Sequence, residues 1–320
     1  MDKLKLFTSD KHSIPLHIRK ATFRCTGTQN MEGGLTVYHY LDREAGVRLT
    51  DTPTGLSIEC NPTKFLKDNN YTMIGRNGLS RFMQVASEYY ETDLGKWAVS
   101  LFDFNIDLAL SHPPHIYLEL FGNLKNWNVR EYTKTGVSYQ TKSNSKALTV
   151  YDLNERCRAK GDTIPEDTHP YVLRIEISIN KAPHKIKQLS NMKTLADYTT
   201  PDNYANLPKL LLNTFEGVHL NEPVPHVPNL KKKEADIIAA IQLYTLTGYR
   251  HKLKLEYPNT FRYHYRQIDE LLKKVSQHRH TLTPAQELIE KVRERAQHLV
   301  EHQSRTVMHP PTVAKVHVSG

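Results

Sequence analysis

Cysteine is scarce in this chain. Only Cys25, Cys60 and Cys157 occur in 320 residues, an odd number without metal-ligand spacing. That excludes a disulfide scaffold and a zinc ribbon, and it predicts free thiols in a reducing cytosol. No glycine-rich loop of the Walker type and no dinucleotide fingerprint occurs, so nothing supports chemistry driven by a nucleotide. No apolar run approaches the length of a membrane span. The opening stretch, MDKLKLFTSDKHSIPLHI, lacks a positive segment followed by an apolar block, so no secretory signal is expected. Histidine pairs suited to a metal are missing as well. His278-Arg279-His280 has Arg at its centre and follows a basic helical pattern, and His112-Pro113-Pro114-His115 has the wrong spacing and a rigid interior. No internal repeat and no low-complexity tract is visible.

What is present suits a soluble enzyme or a nucleic-acid-binding protein. Hydrophobic residues make up 38% and charged residues 24%, which excludes wholesale disorder. The length allows a sizeable core and two units. Net charge is +9, and it is unevenly spread: residues 231–320 carry 16 Lys and Arg against 9 Asp and Glu. A basic region of this kind points to nucleic acid, and less strongly to an anionic membrane surface; a solvated helical tail is the plain alternative.

Three segments read as strands with one apolar and one chemically loaded face. In Val99–Leu110, Phe102, Phe104, Ile106 and Leu108 alternate with Asp103, Asn105 and Asp107. In Lys146–Leu153, Leu148 and Val150 oppose Thr149 and Tyr151. In Tyr171–Ile179, Leu173, Ile175, Ile177 and Ile179 oppose Arg174 and Glu176. A phenol is a poor nucleophile toward phosphate until a cation or base helps it lose its proton. Carboxylates that hold a divalent ion on the same sheet face would meet that need.

Further strands are expected around Leu35–Leu41, Leu56–Cys60 and Ile116–Phe121, with a hairpin between Trp127 and Ser145. Leu79–Tyr90 has helical spacing after an Asn77-Gly78 turn signal. Lys185–Tyr198 reads as helix and Thr199–Pro208 as loop. The fold class expected is α+β, a mixed or antiparallel sheet with helices on one side. Asn221–Leu230 holds three prolines in ten positions and reads as a connector. Beyond it a helix is expected over Glu234–Thr247, stopped by Gly248. A second carries the apolar stripe Phe261, Tyr265, Ile268, Leu272 and Val275, with Arg262, Arg266 and Lys273 opposite. A third starts at Thr283, where Pro284 and Gln286 complete a capping-box pattern. The paired helices resemble a helix-turn-helix with Arg262 and Arg266 near the front of its second helix. After about Arg305 no structure is legible.

Asn61-Pro62-Thr63-Lys64-Phe65-Leu66, Ile106-Asp107-Leu108-Ala109, Ser145–Tyr151, Leu173-Arg174-Ile175-Glu176 and Thr260-Phe261-Arg262-Tyr263-His264, taken together and in this order, resemble motifs of the gene II/X family of phage and plasmid replication proteins. Asn61-Pro62-Thr63-Lys64-Phe65-Leu66, followed by Asn69-Asn70 and Gly75, is similar to its Ser-Pro-Ala-Lys-Phe-Leu-Gln-Gly-His-Asn signature. Ile106-Asp107-Leu108-Ala109 is similar to its Arg-Ile-Asp strand, and Ser145–Tyr151 to its nicking-tyrosine strand. Leu173-Arg174-Ile175-Glu176 matches its Arg-Ile-Glu strand. Thr260-Phe261-Arg262-Tyr263-His264 is like its Thr-Phe-Tyr-Arg-His run. The motifs keep their order over roughly residues 35–275. The chain departs from the pattern at Leu153, where the family has Lys, and at Asp68-Asn69 in place of Gly-His.

The resemblance implies a rolling-circle replication initiator in the cytoplasm of a bacterial host. It implies an RRM-like, replication-initiator-type sheet over residues 1–220 as the nicking domain. Residues 221–230 would be the connector, 231–305 a basic DNA-binding region and 306–320 a tail. Tyr151 would attack a phosphodiester and hold the 5′ phosphate, while Asp107, Glu176 and Glu59 bind Mg²⁺ or Mn²⁺. Lys64, Arg174, Lys146, Arg262 and Arg266 would contact DNA. Partners would be origin duplex and single strand, with a host replication helicase and polymerase, and no membrane. The alternative from the same residues is a non-enzymatic DNA-binding regulator that uses the C-terminal helices.

Overall fold

The computed structural model describes residues 3–32, 34–66, 74–181, 183–221, 231–277 and 283–302. The Asn69-Asn70 part of the signature, the connector beyond Asn221, His278–His280 and the tail lie outside the described residues. The strands are β1 (Leu4–Thr8), β2 (Arg24–Asn30), β3 (Thr36–Asp42), β4 (Val47–Thr52), β5 (Gly55–Cys60), β6 (Ala98–Ala109), β7 (Phe121–Leu124), β8 (Trp127–Thr133), β9 (Gly136–Thr141), β10 (Lys146–Asp152), β11 (Val172–Ile179) and β12 (Val218–Leu220). The helices are α1 (Leu16–Thr22), α2 (Pro62–Phe65), α3 (Arg76–Tyr89), α4 (Pro114–Leu118), α5 (Leu153–Lys160), α6 (Pro201–Tyr204), α7 (Asn206–Phe215), α8 (Lys232–Glu256), α9 (Phe261–Gln277) and α10 (Pro284–His302).

Ten strands form one antiparallel sheet in the order β2-β3-β4-β5-β1-β6-β11-β10-β9-β8, and β7 pairs with β12 separately. The class is α+β, and the sheet is antiparallel rather than mixed. A repeat invisible in the sequence emerges here. From the central pair β1–β6, the chain of each half crosses to an edge strand, β2 or β8, and comes back inward through a four-strand meander that ends beside its own starting strand. Glu59 and Glu176 occupy matching strands, β5 and β11, next to Arg48 of β4 and Thr149 of β10.

Alternation explains why one face of this sheet is covered. Leu4, Ile58, Phe104, Ile106, Ile175, Ile177, Leu148 and Val150 are all at most 2% exposed and point the same way. On them pack Leu79 and Phe82 of α3, Leu207 and Leu211 of α7, and Leu288 and Val292 of α10. Each such side chain contributes about 1.5–3 kcal/mol on burial. The opposite face keeps the polar set and holds the candidate site.

Several local expectations change. Pro114 sits in the first turn of α4, so residues 114–118 are helical and the strand starts only at Phe121. Lys185–Tyr198 forms short 3₁₀ turns, and Thr199–Pro208 contains α6 and the start of α7. Pro201 opens α6, a position where its missing N–H costs nothing. Asn77-Gly78 lies inside α3, whose N-cap is Gly75. Gly248 does not end its helix. α8 runs on to Glu256 because Tyr249 and Leu253 pack with Ile268 of α9, which outweighs the roughly 1 kcal/mol cost of a helical glycine.

Residues 231–305, expected as one region, divide by packing. α8 and α9 form a hairpin around their own small core of Ile241, Leu253 and Ile268. α10 belongs to the main core instead. Its capping box is made: Gln286 N donates to Thr283 Oγ1 at 3.2 Å, and Thr283 N to Gln286 Oε1 at 3.1 Å. Glu287 then ties the helix down, taking hydrogen bonds from Ser111 N and Oγ at 2.9 Å each and from the Tyr117 hydroxyl. Burial works against the charged Glu287, but the bonds from Tyr117 and Ser111 win and hold its carboxyl below the usual range. Its charge therefore stabilises the fold above the ordinary carboxylate pKa, and that stability fades as pH falls through the lowered folded value. Glu287→Ala leaves the Tyr117 hydroxyl and the Ser111 amide without their acceptor, at about 1–3 kcal/mol for each group that stays unsatisfied. Urea midpoints at neutral and acidic pH check this: the wild type should lose stability toward acid, and Glu287→Ala should lose less because it lacks the carboxylate whose pKa folding lowers. Among the described residues no helix is long and apolar enough to cross a membrane.

Candidate active site

β10 delivers Tyr151 to the open face and then turns directly into α5. Asp152 caps that helix, its carboxylate accepting from Glu155 N at 3.0 Å, and Gly161 ends it in the left-handed conformation at φ 69°. One turn in, Arg156 swings back over the Tyr151 ring, its guanidinium carbon 4.0 Å from the ring centroid. Gly136 lies opposite Tyr151 on β9, and a Cβ there would come within 3.1 Å of the Tyr151 Cβ. A glycine at that position leaves the tyrosine its room. Tyr151 is 5% exposed and packs on Leu153, Cys157 and Val172. Its hydroxyl donates to Glu176 Oε2 at 3.5 Å. Burial, with Asp162 nearby, pushes the Cys157 thiol up.

Asp107 faces Arg174 across the β6–β11 ladder. Both carboxylate oxygens are engaged by the guanidinium fork, Nε to Oδ1 at 2.6 Å and Nη2 to Oδ2 at 2.8 Å, and Arg174 is 2% exposed. Glu59 reaches the same cleft as Tyr151 but pairs with Lys3 at 3.3 Å and Arg48 at 3.9 Å. The three acids expected around one cation are therefore drawn to different partners, and only Glu176 faces the tyrosine. Asp103 joins Glu176 in the cleft lining. Between Asp103 and Asp107 on β6 stands Asn105, directly opposite Glu176, fully buried, with both amide atoms lacking a hydrogen-bond partner. A buried amide in that condition, beside two carboxylates, suits a hard cation that takes oxygen ligands. Among the described residues no three His, Cys, Asp or Glu side chains cluster as a metal centre.

The cation-bearing candidates split. Lys64, on α2 behind its Asn61 cap, lines the cleft, as does Arg174. Lys146 does not: it shares the parity of Leu148 and Val150, and its ammonium lies 5.7 Å from the centroid of Trp127 on the covered face. Strand alternation rules it out as a partner of Tyr151. Arg262 and Arg266 lie on α9 and border a shallow groove with Asp269 and Lys273, not this cleft. Arg156, Lys160 and Lys3 were not singled out from the sequence, and Asn105 was placed only as part of the polar face of its strand. A signal existed for Arg156: Asp152-Leu153-Asn154-Glu155 reads as a helix start, and a helix there turns position 156 back toward the tyrosine. The chain matches no protein-family model and no curated protein sequence.

Proposed function

We propose that the protein is a site-specific DNA nickase and strand transferase that initiates rolling-circle replication through Tyr151. The observation that carries this reading is the tyrosine hydroxyl 3.5 Å from Glu176, under the Arg156 guanidinium, in a cleft where Lys3, Arg48, Lys64, Arg156, Lys160 and Arg174 outnumber four acids. Glu176 accepts the phenolic proton as the tyrosine oxygen bonds to phosphorus. The bond from phosphorus to the 3′ oxygen breaks, and that oxygen takes a proton from water. The phosphotyrosyl bond replaces one phosphodiester by another, so a later 3′ hydroxyl rejoins the strand with no external energy. Arg156 and Arg174 stabilise the charge that accumulates on the transferring phosphoryl group.

Asp103 and Oε1 of Glu176, the oxygen not bonded to Tyr151, would hold Mg²⁺ or Mn²⁺, with the Asn105 amide oxygen as a further donor. When bound, the ion would draw charge from the phosphoryl oxygens. The polar open face, with helices packed against the other, supports the replication-initiator type of sheet. Trapping tests the function: full-length protein incubated with divalent ion and candidate origin DNA should give a covalent adduct on a denaturing gel, mapping to the Tyr151 peptide. An adduct at another tyrosine overturns the assignment. No adduct on any origin leaves the non-enzymatic DNA-binding protein as the better reading.

The α8–α9 hairpin is the proposed duplex-binding element, and its partners at the origin would be a host helicase and polymerase. Each phosphate that Arg262 or Arg266 neutralises adds about 0.9 to the slope of log affinity against log salt. Arg262→Ala and Arg266→Ala should each flatten that slope by about this amount. A uniform loss across duplex sequences marks phosphate contacts, and a loss of sequence preference marks base contacts.

A further inference from the structure

Tyr151 lines two clefts, and the ridge that separates them is the part of the lining they share. The first, about 370 Å³, opens toward the first half of the sheet, where Lys3, Arg48 and Lys64 contribute to its lining. The second, about 500 Å³, opens toward the β8–β9 edge and is lined by the hydroxyls of Thr133, Thr135, Ser138 and Thr149. Tyr151, Arg156 and Glu176 line both. The two differ in charge. Six cations face four acids in the first, whereas Arg130 and Arg156 face Glu131, Glu155 and Glu176 in the second.

We propose that one strand of DNA fills both clefts at once, with its phosphate at the ridge held by Arg156. This rests on the nicking reading for the chemistry at the ridge, but the path of the strand is argued from shape and charge. A nucleophile that cuts inside a strand needs room for chain on both sides of the target phosphate, and an end-processing site needs room on one. The cation-rich cleft matches a polyanionic backbone. The second cleft has more acids than cations and would repel bare phosphate. It offers donors and acceptors suited to sugars and base edges. The Arg156 guanidinium carbon lies 4.0 Å from the Tyr151 ring centroid, and its forked N–H donors suit a phosphate beside the ring.

The two subsites therefore contribute differently to affinity. Binding of fluorescent oligothymidylates of about 4 to about 16 nucleotides to the full chain, without divalent ion and over a range of salt, separates them. Arg48→Glu with Lys64→Glu should weaken every length and flatten the salt slope by about 0.7 for each phosphate no longer neutralised. Thr135→Glu, at an exposed turn, should weaken only the longer oligomers. Arg156→Ala should weaken short and long oligomers alike, with Arg156→Lys restoring part of the loss. Thr135→Glu without effect on the longest oligomer, or equal affinity for blunt duplex of the same length, overturns the two-cleft path. An intact Tyr151 adduct with no such length dependence defeats this proposal alone. Length-dependent binding with no adduct defeats the nicking reading alone.

Discussion

Tyr151→Phe should abolish the covalent adduct and the nicking of supercoiled origin DNA, while duplex binding and the urea midpoint stay near wild type. The substitution removes one oxygen and no charge. The ring keeps its packing on Leu153, Cys157 and Val172 and its place under Arg156, so the local core is preserved. What disappears is the atom that bonds to phosphorus. A nucleophile removed outright costs far more than a misplaced one, and the expected loss is at least about 10⁴-fold, by comparison with other covalent catalysts. Gel-resolved conversion of supercoiled to open-circle DNA measures it. Nicking by the Phe variant within tenfold of wild type would place the chemistry elsewhere.

Asp107→Ala should be the most destabilising substitution at the site, by about 3–5 kcal/mol, because it strips a buried guanidinium of its bidentate partner. Arg174 is 2% exposed and lies directly across from Tyr151 in the β10–β11 pairing, so its displacement also disturbs the strand that carries the nucleophile. The role implied by the family resemblance, a metal ligand, makes a different forecast: wild-type stability, with activity partly restored by excess Mn²⁺. Urea denaturation with and without added Mn²⁺ decides between them. A lowered midpoint that the ion does not restore supports the ion pair. Asp107→Asn, which keeps the shape and loses the charge, should fall between the wild type and the alanine variant.

Strand parity was legible without a structure, because successive side chains alternate faces whatever the strand pairs with. That alone put Tyr151, Arg174, Glu176 and Asp107 on the polar side; applied to Lys146, the same parity sets it with the apolar residues, against the DNA contact that the resemblance implied. The capping box at Thr283 and the apolar stripe of α9 were legible for the same reason: each depends on residues within a turn or two. Partnership was not. Whether Asp107 meets a cation or an arginine is decided by its register against a strand some 67 positions away, where Arg174 happens to lie opposite.

The helical C-terminus shows the same divide. Charge and periodicity grouped α8, α9 and α10 together, and both are properties of sequence neighbours. Packing assigned α10 to the main core, through Leu288 and Val292 beneath the sheet and Glu287 bonded to Ser111 and Tyr117, residues some 170 positions earlier. Which side chains share a face, where several helices begin, and the C-terminal excess of charge all follow from short-range pattern. That two half-sheets repeat one topology, that Asp107 serves Arg174, that Asn105 is buried without a partner, and that Arg156 lies over the tyrosine emerge from folding alone. The reason is one of range: propensity, periodicity and capping act over a few residues, whereas register and docking depend on segments that meet only when the whole chain folds.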